Sequence, residues 1–111
     1  MNSTDVRSPL YSAFADDSDL ADLIDLFAEE MPLKTVAMQE AFNEGNRELL
    51  VRLAHQLKGS AGSYGYGAIN RFASKLESSL RSSAPAKVIS DQLTELISVC
   101  AQVRPIAPCE K

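Results

Sequence analysis

The chain has little of several things, and each shortage closes off a class of function. Tryptophan is missing, aromatic residues make up 6% of the 111 positions, and Ala and Leu dominate, a balance that favours helices over sheet. No window approaches the ~18 apolar residues of a membrane span. The first seven residues, Met1-Asn2-Ser3-Thr4-Asp5-Val6-Arg7, lack the basic and apolar regions of a signal peptide, so a cytoplasmic protein is expected. Positive charge is scarce too: 11 Lys and Arg stand against 15 Asp and Glu, for a net charge of −4 and a pI of about 4.9. Cations dispersed over an acidic domain are poor material for coating a phosphate backbone, which argues against nucleic acid as a partner. There are two cysteines. Cys100 lies on an apolar helical stripe and reads as buried, and Cys109 lies in a Pro-flanked tail and reads as free. With one histidine elsewhere they make no zinc site, and no metal is expected.

What is present is helical periodicity. Ser8-Pro9 reads as an N-cap and first helical position, opening a short helix through about Ala15. Asp16, Asp17, Ser18 and Asp19 supply caps and negative charge for a longer helix. Its apolar residues, Leu20, Leu23, Ile24, Phe27, Met31, Met38, Ala41 and Phe42, recur at helical spacing. Pro32 interrupts the run while the stripe keeps phase. The pattern fits one kinked helix over about 18–44, roughly 40 Å long, or two collinear helices meeting at Pro32. Gly45 ends it and Asn46 caps the next, whose expected buried face is Leu49, Leu50, Leu53, Leu57, Ala61 and Tyr64. Gly65 and Gly67 punctuate a turn. Ile69, Phe72, Leu76 and Leu80 mark a helix over about 67–82, and Ile89, Leu93, Leu96, Ile97, Cys100 and Val103 mark the last. The predicted fold is all-α: an antiparallel up-and-down four-helix bundle with a short additional N-terminal helix. It occupies 9–104, between an arm over 1–8 and a tail over 105–111.

The single histidine, His55, stands in Ala54-His55-Gln56-Leu57-Lys58-Gly59-Ser60-Ala61-Gly62. At 100° per residue, it points about 170° away from the centre of the apolar face. Lys58 and Gly59, three and four residues on, are its surface neighbours. Each interior helical glycine costs roughly 0.8–1 kcal/mol against alanine. Two of them on the outer face, Gly59 and Gly62, therefore suggest a partner approaching the ring closely. An exposed imidazole beside an ammonium suits a nucleophile whose cation attracts a phosphoryl group. The Gly59–Gly65 run is no phosphate loop: it lacks the terminal Gly-Lys-Ser/Thr and follows no strand.

That nine-residue stretch resembles the signature of histidine-containing phosphotransfer (HPt) domains, the intermediate carriers of multistep phosphorelays, and the helical pattern extends the resemblance over about 10–104. The resemblance implies that His55 accepts the phosphoryl group, that Lys58 steadies it, and that Gly59 gives access to it. It also places a Gln or Glu about 22 positions on, which here is Glu77; a carboxylate accepting the Nδ1 proton would leave Nε2 free. The expected partners are receiver domains of hybrid sensor kinases and response regulators. Mg²⁺ is expected on the receiver, and this chain needs no cofactor or ATP of its own. The docking surface is expected to include Val51, Arg52, Gln56, Gly59, Gly62 and Tyr66, on a monomer. Two rival readings remain: a helical adaptor that binds receivers or kinases without carrying phosphate, and a phosphorylatable domain excised from a chemotaxis-type kinase.

Overall fold

Three short connections separate four amphipathic runs, and the chain folds accordingly. A computed structural model describes residues 10–14 and 19–103, and the expected arm over 1–8 and tail over 105–111 lie outside them. Four helices follow in order among the described residues: α1 (Ala21–Asn43), α2 (Arg47–Ser63), α3 (Gly67–Arg81) and α4 (Ala86–Cys100). The helices pack α1 on α2, α2 on α3, α3 on α4 and α4 back on α1, which encloses one core. The α2–α3 pair is the most extensive. None of these helices is long and apolar enough to cross a membrane.

α1 runs unbroken through Pro32 as one 23-residue helix. It buries Ile24, Phe27, Met31, Met38 and Ala41, so the apolar phase holds across the proline. Leu23 belongs to the expected stripe but is exposed. A cavity of about 310 Å³ lies where Pro32 meets α4, lined also by Ala28, Thr35 and Cys100. Proline offers no N–H to the carbonyl one turn back, yet α1 continues through it. Cys100 is a free thiol that burial pushes up to about 12. The caps differ from expectation. Leu20 occupies the N-cap position with no side-chain hydrogen bond, and Asp16, Asp17 and Ser18 lie outside the described residues.

Gly45 adopts φ +72°, and the Asn46 side chain accepts from the Leu49 N–H at 3.1 Å, ending α1 and opening α2. α2 buries Leu50, Ala54, Leu57 and Ala61, whereas Leu49, Leu53 and Tyr64 are half-buried. α3 buries Ile69, Ala73, Leu76, Leu80 and one carboxylate, Glu77. Ala54, Ala61 and Ala73 are short enough to let these helices approach closely.

The short N-terminal helix is corrected. Among its described residues, 10–14, no helix forms. The backbone groups there find partners far away in sequence instead of four residues back. Leu10 N–H donates to Gln102 O at 2.6 Å and bridges Val103, and Ala13 N–H donates to Gly65 O at 2.8 Å. The Ser12 hydroxyl donates to Tyr64 O. The segment therefore lies on the α2–α3 turn and the end of α4. Gly65, at φ +84°, makes this seat: an added Cβ would come within 2.6 Å of Ser12 Oγ and 2.8 Å of Ala13 N.

The two left-handed glycines give a test. A side chain at either position costs about 1–2 kcal/mol for the backbone conformation alone. At Gly45 nothing lies within 4 Å of a Cβ, whereas at Gly65 the N-terminal segment must also move. Chemical denaturation should show Gly65→Ala losing more stability than Gly45→Ala. Equal losses would mean the segment is not seated on that turn.

Candidate functional site

His55 falls at the middle of α2, between the buried Ala54 and Leu57. A residue so placed can only stay on the rim, and the imidazole is 61% exposed. Across the seam, Glu77 follows Leu76 on the buried side of α3, and its carboxylate is only 8% exposed. The two meet: His55 Nδ1 lies 3.0 Å from Glu77 Oε2. An ionised carboxylate can only accept, so the ring proton is assigned to Nδ1, and Nε2 keeps its lone pair.

Glu77 has two further donors. Lys58 Nζ reaches Oε1 at 3.0 Å, and Arg81 approaches Oε2 with Nε at 2.9 Å and Nη2 at 2.8 Å. Burial by itself would push this carboxyl up. Hydrogen bonds from Lys58, Arg81 and His55, together with the Lys58 charge, outweigh burial and bring it from 4.5 down to about 2. Sequence reasoning missed Arg81. The signal was available, since Glu77 and Arg81 stand four apart on one helix, the spacing at which opposite charges meet.

The glycines separate into two cases. A Cβ at Gly59 would meet nothing within 4 Å, so the surface beside the ring is open. A Cβ at Gly62 would come within 3.2 Å of Asn70 Nδ2, which donates to Lys58 O at 2.9 Å. Gly62 therefore makes room for a link between α2 and α3, although it is solvent-exposed. Arg52 and Gln56 are exposed, and Gln56 stands at a groove shared with Lys34 and Met38 of α1. Val51 is half-buried against the core.

Tyr66 is a correction: it is wholly buried and belongs to no docking surface. Its ring stacks on Phe27, with centroids 5.2 Å apart and planes 21° from parallel. Burial, with the Asp25 charge, pushes its hydroxyl up to about 12. Tyr66 is the N-cap residue of α3, where the helical phase of α2 no longer applies and the turn directs the side chain inward.

The assembled site is an exposed ring nitrogen flanked by two cations, with its other nitrogen anchored to a buried anion. It suits nucleophilic attack on an electron-poor centre bearing negative oxygens. It does not suit a metal ion, because the one carboxylate is already occupied by cationic donors.

Glu77 makes stability depend on acid in a stated direction. Its folded value is depressed, so its contribution is fully present above 4.5 and is lost as pH falls through about 2. In that window the parent should lose stability more steeply than Glu77→Gln, as followed by urea denaturation; parallel slopes would refute the ion-pair account. The glycines predict a second contrast. Gly59→Ala should gain about 0.8–1 kcal/mol from helix propensity, and Gly62→Ala should gain less because Asn70 must move. Equal gains in urea titrations would remove that distinction.

The Hpt domain family model matches residues 22–104, which span all four helices except the first residue of α1. No curated protein and no solved structure matches the chain. With an exposed histidine on α2 and a match extending over most of its length, the chain belongs to the Hpt domain family.

Proposed function

We propose that the chain is a phosphocarrier in a two-component phosphorelay, taking a phosphoryl group from a receiver-domain aspartate onto His55 and passing it to another. The observation that carries this reading is the exposed imidazole whose Nδ1 lies 3.0 Å from a carboxylate held at about 2. Nε2 attacks phosphorus, the P–N bond forms, and the P–O bond to the aspartate breaks to release its carboxylate. The Nδ1 proton stays in place. The positive charge that the ring acquires is offset by Glu77. Transfer to the second receiver reverses each step.

Lys58 spends one of its three N–H groups on Glu77 and can turn another toward the phosphoryl oxygens. Open space at Gly59 lets the receiver's backbone approach, and Arg52, Gln56 and the half-buried Val51 stand on the same helix within four residues of the ring. Mg²⁺ belongs to the receiver in this scheme, and the chain acts as a carrier rather than a kinase. The frame we propose is an antiparallel up-and-down bundle. Connections over 44–46, 64–66 and 82–85 are too short to carry the chain back to the starting end of a helix.

The test is incubation with a phosphorylated receiver domain. Acid-labile label should move to the parent chain and be absent from His55→Gln, and Lys58→Ala should slow transfer or shorten the phosphohistidine lifetime with the fold intact. A stable complex with no label on the chain would favour the adaptor reading instead.

A further inference from the structure

Arg81 is the charged group at the site that this mechanism leaves without a task. Its guanidinium shares Glu77 Oε2 with the ring: Nε and Nη2 at 2.9 and 2.8 Å, His55 Nδ1 at 3.0 Å. Donors bonded to one oxygen at such distances lie within about 6 Å of each other. The full cationic charge of Arg81 thus stands next to the imidazole.

That charge answers a problem created by Glu77. An ionised carboxylate beside an imidazole favours the protonated ring. A protonated ring has no lone pair on Nε2 and cannot attack phosphorus. Here, however, one negative charge faces two positive ones, Lys58 on Oε1 and Arg81 on Oε2. Arg81, 61% exposed, and Lys58 thus cancel part of the pull that Glu77 exerts on a second ring proton, while the Nδ1 hydrogen bond is kept.

Among the described residues the remaining charges around the ring are few. On α2, Arg52 and Lys58 stand one turn before and after it, and from α3 it faces Glu77 and Arg81. α1, on the other flank of α2, brings Lys34 to the groove beside Gln56, with Glu30 at 3.8 Å from that ammonium. α4 packs on α1 and α3.

We infer that Arg81 is a positioning residue that keeps His55 unprotonated, and so nucleophilic, by cancelling the charge of Glu77 on the oxygen that the two share. The inference rests on the phosphotransfer reading for its purpose, but its physical content is measurable without any partner. Diethyl pyrocarbonate acylates only unprotonated imidazole, and the chain has a single histidine. The ultraviolet absorbance of the product therefore reports His55 alone.

The acylation rate is measured against pH in the parent, Arg81→Gln and Arg81→Lys. In Arg81→Gln the pH of half-maximal rate should rise by about half a unit, the size expected for one screened charge at this range. Arg81→Lys, which keeps the charge, should stay near the parent. A purely structural role would lower the melting temperature and leave the midpoint in place, and an unmoved or lowered midpoint overturns the inference. Phosphotransfer from a phosphorylated receiver is followed over the same pH range, where the Arg81→Gln deficit should shrink as pH rises. A parent that takes no label at any pH overturns the phosphocarrier reading. A parent that takes label alongside an unmoved Arg81→Gln midpoint overturns this inference alone.

Discussion

A carboxylate held out of water at the seam between two helices organises the molecule around it. Glu77 is among the few polar side chains buried in the described structure. Leaving such an anion unpaired would cost several kcal/mol. It is tolerated because three side chains from two helices converge on its two oxygens. Stability and chemistry therefore depend on the same contacts. The donors that make burial of Glu77 acceptable include the ring that we propose carries phosphate and the ammonium that we propose steadies it.

The rest of the bundle keeps those contacts in register. Small buried residues let α2 and α3 lie close, and Asn70 of α3 donates to the Lys58 carbonyl of α2 beside the open Gly59 surface. At one end a three-residue turn joins the pair, clamped by residues 10–14 and by the Phe27–Tyr66 stack. A nucleophile mounted on such a frame is held by packing rather than by a loop, and its exposure costs the core nothing. The opposite seam, between α1 and α4, is looser around Pro32 and Cys100. The extensive packing is on the side where the site stands.

Much of this was legible beforehand. Gly45 and Asn46 mark a boundary through backbone conformation and capping, which are local properties. The outward direction of His55 follows from helical phase, also local. The errors came where local rules stop. Pro9 and the residues after it read as a helix start, yet the described part of that segment takes its hydrogen bonds from the α2–α3 turn and the end of α4. Tyr66 was expected on the docking surface, yet it lies in the turn before α3, where the packing of its ring on Phe27 and not a helical phase sets its direction. Gly62 and Gly59 look alike in sequence, and only the position of Asn70 on the neighbouring helix separates them.

The sequence by itself determined four amphipathic helices, their limits to within a few residues, and a single imidazole on the polar side of one of them. These follow from the period of the α-helix and from backbone preferences, which act over a turn or two. The family resemblance had placed Glu77 beside His55, but only the tertiary structure decided that Lys58 and Arg81 would meet the same carboxylate. Which residues face each other across two helices depends on how far one is shifted and rotated against the other. That offset is set by the whole packed interface rather than by any short stretch of chain.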